Sequence, residues 1–308
     1  MHNVNSLIKS IYSSRSCALS AVLTLLLIIG VSHQAFAVAP LVVMHRAPDS
    51  ANDKRQDYNI ALLRLALGKT LEAGESLQLK AMPPMNSARA RYALNTNLYP
   101  NLILELSYED DMRELNNIDY AAFPIDLGAL SYRVCFMSPQ FYESGRIVSS
   151  LADLKALTFV AGVGWPDVVV LKDNSLRVSE INYYDNIFKM LSGNRFDLFC
   201  RGSSEILNEY KTFNPVFSLH LNKSFALHYP LPRFFFVSAD NQTLKNRLEK
   251  GLKMAYEDGS LKSLWHDHFF ESVVFSDVKN RKVFTLENKR IKHINKEYEK
   301  YLLPVSSY

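Results

Sequence analysis

The chain has 308 residues, of which 48% are apolar and 21% charged, with 11 glycines and 12 prolines. This composition excludes disordered and collagen-like chains, and the length is sufficient for two domains of ordinary size. The formal net charge is +4, and the first 37 residues hold two basic and no acidic residues, which leaves +2 for the remainder. A nearly neutral chain has no electrostatic footprint for nucleic acid, so we expect no nucleic-acid partner.

The N-terminus has the pattern of a secretory signal peptide. Lys9 and Arg15 precede the uncharged stretch 18–31, and Ala35 and Ala37 supply the small residues of a cleavage site. The uncharged stretch is shorter than the roughly 20 residues that a membrane-spanning helix needs. We therefore expect cleavage near Ala37 and a periplasmic protein that is not embedded in the membrane.

Two cysteines follow the predicted cleavage site. An exported protein can oxidise a pair such as Cys135 and Cys200. Both also lie in apolar runs, 132–137 and 196–200, where a buried thiol is equally stable. The sequence leaves the choice between a disulfide and two free thiols open.

Apolar periodicity predicts strands and helices in alternation along the chain. The predicted strands are 41–44, 77–81, 157–161, 177–181, 196–199 and 234–237. The predicted helices are 58–65, 87–94, 166–171, 184–191 and 244–255. Such alternation indicates the α/β class, with mixed sheets flanked by helices. Two α/β units and a long return segment predict two lobes that enclose a cleft, with chain crossings near 130–135 and 232–237.

The predicted domain boundaries follow from this pattern. They are a signal peptide at 1–37, a first part of lobe 1 at 38–132, lobe 2 at 133–232, and a return to lobe 1 with a C-terminal tail at 233–308. Within that tail, residues 279–300 carry a basic excess. We expect this stretch to be a solvated helix or strand–helix piece rather than a binding arm.

Three short segments occur in an order that is typical of a known superfamily. They are 149–155 before a strand and a glycine loop, 190–197, and 248–259 with its Asp-Gly end. In this order they resemble the periplasmic type II solute-binding proteins, and the segments 164–167, 196–205 and 281–288 resemble a subgroup of stand-alone exported proteins. The resemblance implies the type II fold, two lobes joined by two hinge crossings. It also implies a small-molecule solute, a membrane transporter of the ABC class or a sensor as partner, a monomer, and no cofactor.

Two residues between the predicted strands 77–81 and 157–161 match a binding motif of that superfamily. In its amino-acid-binding members, an arginine a few residues after a serine or threonine, upstream of a Phe-x-x-Pro-like segment, binds the ligand carboxylate. Ser107 and Arg113 stand in this relation to Phe123 and Pro124. A guanidinium offers paired donors that suit a carboxylate. The competing interpretation is an exposed arginine neutralised by the acidic residues around it.

Gly164, Trp165 and Asp167 lie in a loop that follows a predicted strand and opens a helix at Pro166. Helix N-termini present free N–H groups to anions, and glycine lets a ligand approach the backbone. Trp165 can stack on a ligand or serve in packing between the lobes. The loop lacks the third glycine of a dinucleotide motif and the Gly-Lys-Ser/Thr of a phosphate loop.

One position departs from the superfamily pattern. In related amino-acid receptors, an acidic residue five positions beyond the aspartate of the Gly-x-x-Asp segment binds the ligand ammonium. Counting from Asp197 gives Gly202 here, with Arg201 beside it. This departure indicates an anionic solute with Arg201 as a charge partner. If Glu205 replaces the missing carboxylate, the inference reverses; Arg201 can also form a structural ion pair with Glu205 or Glu209.

Arg46 completes the candidate site because it follows the first predicted strand, an end that faces the cleft in such folds; a surface-loop position is the alternative. His266 and His268 are two apart and would point to different faces of a helix, so we expect no metal site. Common hydrolase motifs are absent from the sequence. The predicted function is capture of a small polar solute for transport or sensing. The alternatives are a soluble sensor subunit and a dehydratase-like exported enzyme with Glu205 or His45 as acid–base group.

Overall fold

The computed structural model describes residues 38–48, 54–114, 117–305 and 308. The predicted signal peptide at 1–37 lies outside the described residues. All of the strands and helices belong to the unit formed by residues 40–308.

Twelve strands are present in the described part of the chain. They are β1 (Leu41–His45), β2 (Leu77–Ala81), β3 (Leu102–Ser107), β4 (Ile118–Tyr120), β5 (Tyr132–Met137), β6 (Thr158–Gly162), β7 (Arg177–Ile181), β8 (Leu198–Gly202), β9 (His220–Leu221), β10 (Phe225–His228), β11 (Arg233–Ser238) and β12 (Lys282–Thr285). All six predicted strands are therefore confirmed, with ends that move by up to three residues.

The same residues form ten α-helices. They are α1 (Arg55–Gly68), α2 (Ser87–Asn95), α3 (Pro139–Glu143), α4 (Leu151–Lys155), α5 (Pro166–Asp173), α6 (Tyr184–Ser192), α7 (Ile206–Phe217), α8 (Gln242–Glu257), α9 (Ser260–Trp265) and α10 (Glu271–Ser276). Helix α8 shows why these segments are helical. Leu244, Leu248 and Leu252 are fully or almost fully buried at four-residue spacing, and each contributes about 1.5–3 kcal/mol by leaving water. The Asn241 side chain caps the helix by accepting a hydrogen bond from Leu244 N at 3.2 Å.

The first sheet has five strands in the order β2-β1-β3-β11-β4. Strand β1 pairs in parallel with β2 and β3, whereas β11 runs antiparallel to β3 and β4. All six residues of β3 are buried, because α1 and α8 cover one face of this sheet while α2 and the C-terminal segment cover the other. The carboxyl ends of β1, β2 and β3 consequently lie at one edge of the sheet.

The second sheet has the order β12-β10-β5-β8-β6-β7, with β9 paired to β5. Residues of α3, α4 and α5 pack on one face, and residues of α6 and α7 pack on the other. Cys135 of β5 and Cys200 of β8 are directly paired across the ladder and form a disulfide. The open question from the sequence is thereby answered, since the strand register brings the two thiols together. The chain passes between the sheets before β5 and before β11, where the sequence predicts crossings, and it crosses again before and after β12.

The C-terminal segment differs from the expected solvated piece. Strand β12 pairs in parallel with β10 at the edge of the second sheet. The chain then returns to the first sheet, where Ile294 and Tyr298 are buried in the core that contains Phe234. The strand–helix piece expected for 279–300 is present as β12 and the 3₁₀ helix Lys296–Tyr301, but it is not wholly solvated, because most of its few apolar side chains are buried.

Candidate binding site

A cavity of about 710 Å³, including its open mouth, lies where strand ends of the two sheets meet. Arg46 follows β1, Ser107 ends β3, and the loop 164–167 follows β6. In open α/β sheets, ligands bind beyond the carboxyl ends of strands, because side chains and free backbone groups converge there. We name this cavity the arginine cleft, after the six arginines that line it.

The structure brings together seven of the eight predicted site residues. The lining of the arginine cleft includes Arg46, Ser107, Gly164, Trp165, Asp167, Arg201 and Glu205. The eighth, Arg113, has its backbone in the 3₁₀ helix Asp110–Glu114 after β3, and its side chain lies outside the described residues. Contact of these residues with a ligand stays a prediction.

Positive charge dominates the lining of the cleft. The arginines are Arg46, Arg55, Arg91, Arg133, Arg201 and Arg233, and the carboxylates in the same lining are Glu105, Asp167 and Glu205. Two further carboxylates lie behind them, Glu109 against Arg91 and Glu209 against Arg201. The surface that a solute would meet therefore carries twice as many guanidiniums as carboxylates.

Arg133 is fixed by a buried ion pair. Its Nε donates to Asp167 Oδ1 at 2.8 Å, and the Tyr229 hydroxyl donates to the same oxygen at 2.6 Å. Burial alone would raise the pKa of Asp167, but the Arg133 charge and the Tyr229 hydroxyl outweigh it and hold that pKa below its ordinary value. Asp167 therefore stays ionised. Its carboxylate, in the predicted loop, is paired with Arg133 and holds that side chain in place.

Arg201 is fixed by two carboxylates. Its Nε donates to Glu209 at 2.7 and 2.9 Å, and its Nη2 lies 3.0 Å from Glu205 Oε1. Burial would lower the pKa of Arg201, but the charges of Glu205 and Glu209 raise it. Burial raises the pKa of Glu209, although the positive charge of Arg201 acts in the opposite direction. Both structural ion pairs that the sequence allows are present.

The acidic side chain that the superfamily pattern expects at Gly202 would require the side chains of Leu130 and Glu205 to shift. A Cβ at this position would lie 2.5 Å from Leu130 Cδ2 and 3.0 Å from Glu205 Oε2. Glu205 Oε2 accepts a hydrogen bond from Gly202 N at 3.1 Å. Glu205 thus carries a carboxylate close to the expected place, but that carboxylate is already held by Arg201 and by the backbone.

Trp165 stands between two guanidiniums and the second sheet. The Arg201 Cζ lies 4.5 Å from its ring centroid and the Arg55 Cζ lies 5.5 Å away. Its ring passes so near Gly162 that a Cβ there would lie 2.4 Å from Cε2. Gly164 has φ +75°, a left-handed conformation that favours glycine and shapes the turn before the tryptophan. The indole therefore packs on the sheet and also forms a wall of the cleft.

The first sheet contributes a looser set of charges. Glu105 accepts a hydrogen bond from Gln56 Nε2 at 2.8 Å, while Arg46 and Arg233 lie 4.0 and 3.9 Å from its Oε1. Arg46 also donates to Ser87 Oγ at 3.2 Å. One carboxylate thus serves two guanidiniums, neither at close hydrogen-bonding distance from it.

Four of the lining arginines are not among the predicted site residues: Arg55, Arg91, Arg133 and Arg233. Two of them are paired, on a neighbouring strand, with positions that the sequence analysis considered. Arg133 pairs with Gly202, and Arg233 pairs with Ser107. A usable signal was present, because an arginine inside or at the start of an apolar strand needs a partner or a polar cavity.

His45, the other acid–base residue considered from the sequence, ends β1 with its Nδ1 2.9 Å from Arg46 O. Among the described residues, no group of three or more His, Cys, Asp or Glu side chains could hold a metal ion. No helix in these ranges is both long and apolar enough to cross a membrane.

Comparison with known proteins gives structural likeness only. No family model matches the chain, and no curated protein matches it. An ancestral arginine-binding protein bound to arginine superposes with a TM-score of 0.55 at 18% identity, covering 76% of this chain and 99% of that chain. A putative L-cystine ABC transporter protein from Listeria monocytogenes gives 0.55 at 14% identity, covering 75% and 96%. An ancestral amino-acid-binding protein, a precursor of cyclohexadienyl dehydratase, gives 0.54 at 16% identity, covering 75% and 95%.

At such low identity the similarity speaks for the fold alone. This chain has two mixed sheets flanked by helices, with strand ends converging on a cleft. The chain has the two-lobed type II periplasmic-binding-protein fold.

Proposed function

We propose that this protein is a periplasmic solute-binding protein that captures a small anionic solute in the arginine cleft. The observation that carries the proposal is the lining of six arginines against three carboxylates. Guanidiniums present paired donors that match the two oxygens of a carboxylate, so an acid with one or more carboxylates is the best fit.

The first-sheet side of the cleft is where the solute gains affinity. Arg233 lies 3.9 Å from Glu105 Oε1, a separation at which an incoming carboxylate can take over its donors, and Arg46 lies 4.0 Å from the same oxygen. Arg133 and Arg201 are held at fixed positions on the other side by Asp167, Glu205 and Glu209, which already compensate their charges. A solute that contacts both sides stabilises the closed arrangement of the lobes over the open one. No covalent step is involved.

The charges favour an acid over a zwitterionic amino acid. An ammonium group needs a carboxylate with unused oxygens. Glu205 already pairs with Arg201 and the Gly202 N–H, and Glu105 accepts from Gln56 and faces two arginines. The similar proteins that bind arginine or glutamine therefore guide the fold but not the choice of solute.

The remaining parts of the proposal rest on the sequence. The N-terminal pattern of Lys9, Arg15, the uncharged stretch 18–31 and Ala37 supports export to the periplasm. A solute-binding protein of this fold would act as a monomer that passes its solute to a membrane transporter, or reports it to a membrane sensor.

Thermal unfolding of the purified protein against dicarboxylates, monocarboxylates and amino acids, arginine and glutamine included, tests the proposal. A solute at 100 times its dissociation constant should add about 2.7 kcal/mol to the free energy of unfolding. We expect stabilisation by dicarboxylates that is lost in Arg46→Ala and retained in Arg146→Ala, a matched change at an exposed arginine outside the cleft. Stabilisation by amino acids alone would reject the choice of an anion.

Chromatography of the solute after incubation separates binding from catalysis. A binding protein returns the solute unchanged and at one equivalent per chain. Conversion of the solute with turnover would instead support an enzyme on the same fold.

A further inference from the structure

A second cavity lies on the other side of four side chains of the arginine cleft. Its volume is about 710 Å³ with its mouth, and it is bordered by the starts of α1 and α7, by residues 125–126 and by residues 268–269. Arg55, Leu130, Glu205 and Arg233 line both cavities. The two spaces are therefore separated only by the thickness of these side chains. We name this space the aromatic cavity.

Rings and aliphatic side chains form one part of its wall, and polar and charged side chains form the rest. Tyr58, Ile125, Tyr184, Phe213 and Phe269 line it, and the rings of Tyr58 and Phe269 lie 4.2 Å apart. Both tyrosine hydroxyls are already used, because Tyr58 donates to Ile125 O at 2.6 Å and Tyr184 donates to Glu209 Oε1 at 2.7 Å. The tyrosines consequently offer ring surface to the cavity. The apolar part of the wall suits an apolar group better than it suits water.

One polar atom in the wall has an unmet hydrogen-bonding capacity. Asp126 lines the cavity with 4% of its surface exposed, and its Oδ1 accepts from Gly128 N at 3.2 Å. Within the described ranges, its Oδ2 is buried and has no hydrogen-bond partner. Buried polar atoms are almost always paired, so an orphan beside a cavity indicates a place for a ligand group. Burial raises the pKa of Asp126, against the opposing charges of Arg233 and Arg133.

Arg55 lies between the two spaces. Its Cζ lies 4.3 Å from the centroid of Tyr184, which lines the aromatic cavity, and 5.5 Å from that of Trp165, which lines the arginine cleft. The residue is half-buried at the first position of α1.

We infer that the aromatic cavity receives the apolar, ring-sized end of the solute whose carboxylate lies in the arginine cleft, and that Asp126 hydrogen-bonds to a polar group beside that end. The solute class is then an aryl-substituted carboxylic acid. This inference rests on the proposed function, because it assigns the carboxylate to the arginine cleft.

Isothermal titration of the protein with succinate and with benzylsuccinate tests the inference, because the two acids differ by one benzyl group. Burial of that group in an apolar cavity should make benzylsuccinate bind about 30-fold more tightly. Asn208→Trp places a large ring at the exposed rim of the aromatic cavity and should bring this ratio close to one. Val216→Trp, at an exposed position of the same helix outside the cavity, should preserve it.

Each alternative result has a distinct meaning. Equal affinities of the two acids for the unmodified protein would overturn the inference and leave the proposed function standing. Tighter binding of benzylsuccinate that persists in Asn208→Trp would place the benzyl group elsewhere and would also overturn it. Failure of both acids to bind would count against the proposed function itself. A melting curve for each variant shows whether it is folded, and Thr212→Trp, also in the lining, is the second blocking variant.

Discussion

The two sides of the arginine cleft differ in how tightly their charges are held. On the second-sheet side, Arg133 and Arg201 meet carboxylate oxygens at 2.7–2.8 Å. On the first-sheet side, Arg46 and Arg233 lie 3.9–4.0 Å from the one oxygen of Glu105 that they share. The ion pairs of the second-sheet side are therefore close contacts, whereas the ion pairs of Arg46 and Arg233 with Glu105 are long.

Burial follows the same division. The side chains of Arg133 and Arg201 are 2% and 4% exposed, whereas that of Arg233 is 21% exposed. A buried guanidinium with short ion pairs is a structural group, since removing one partner leaves an uncompensated charge in a low-dielectric interior. A partly exposed guanidinium with a long ion pair contributes little to folding and is available for binding. Mutations should therefore separate stability on one side from affinity on the other.

The largest effect is expected for Arg133→Ala. The change leaves Asp167 and the Tyr229 hydroxyl buried without their cationic partner, and it should lower the free energy of unfolding by about 3–5 kcal/mol. Urea denaturation at neutral pH measures the loss, with Arg146→Ala as a surface control expected to stay within about 0.5 kcal/mol. A loss below about 1 kcal/mol would show that the second-sheet side is not a structural one.

The second largest loss of stability is expected when the disulfide is removed, because it links the two strands that carry Arg133 and Arg201. Cys135 and Cys200 are 65 residues apart in sequence. Removing the bond frees a loop of this length in the unfolded chain, which should lower the free energy of unfolding by about 2–4 kcal/mol. The double change Cys135→Ala and Cys200→Ala, compared with the oxidised protein by thermal unfolding, should show this loss. If stability is unchanged, the rigidity of this side depends on its ion pairs instead.

Arg233→Ala, unlike Arg133→Ala, should change the stability little and weaken solute binding. The long ion pair with Glu105 predicts a stability change of less than about 1 kcal/mol. Loss of a charge-assisted contact to a dicarboxylate should weaken binding by about 10- to 100-fold. Titration calorimetry beside urea denaturation gives both values for one preparation. The comparison of the two sides would be wrong if this variant lost stability and kept its affinity.

The smallest effect is expected from Asp126→Asn, at a carboxyl that lies under the fields of both Arg233 and Arg133. Burial raises the pKa of Asp126 in the folded state, so the folded protein takes up this proton before the unfolded chain does. The wild type should therefore gain stability relative to Asp126→Asn as the pH falls from neutral toward the ordinary aspartate value of about 3.9. Urea midpoints of both proteins across this range measure the gap, and a gap that does not change with pH would contradict the assignment.

The parts of the fold that the sequence predicts are those with a clear period or a clear stop. Helix α8 has leucines at four-residue spacing and ends before Asp258-Gly259, so its bounds follow closely from the pattern. Strand β3 gives no such signal, because all six of its residues are buried, Glu105 included, and alternation disappears when both faces are covered. Strand β12 has no clear sequence signal either, because basic residues surround it and only Phe284 of its four residues is buried.

The site divides in a similar way. Arg46, Gly164 and Trp165 could be predicted because each follows a strand, and the ends of parallel strands share one edge. Arg133 and Arg233 could not, because their places depend on which strands pair and in which register. Register is a property of contacts distant in sequence, and periodicity along one segment carries no information about it. Asp126 belongs to the same class, since its unpaired oxygen becomes visible only when its surroundings are known.

The position of β12 has a consequence for the order of assembly. Residues 282–285 complete the edge of the second sheet, and Tyr298 and Val305 then complete cores of the first. A chain that has been made only as far as residue 281 therefore has one edge of β10 open and both cores unfinished. Exposed strand edges and apolar surface can associate with other chains during synthesis. Neither sheet therefore has its full set of contacts until residues 282–305 have been made.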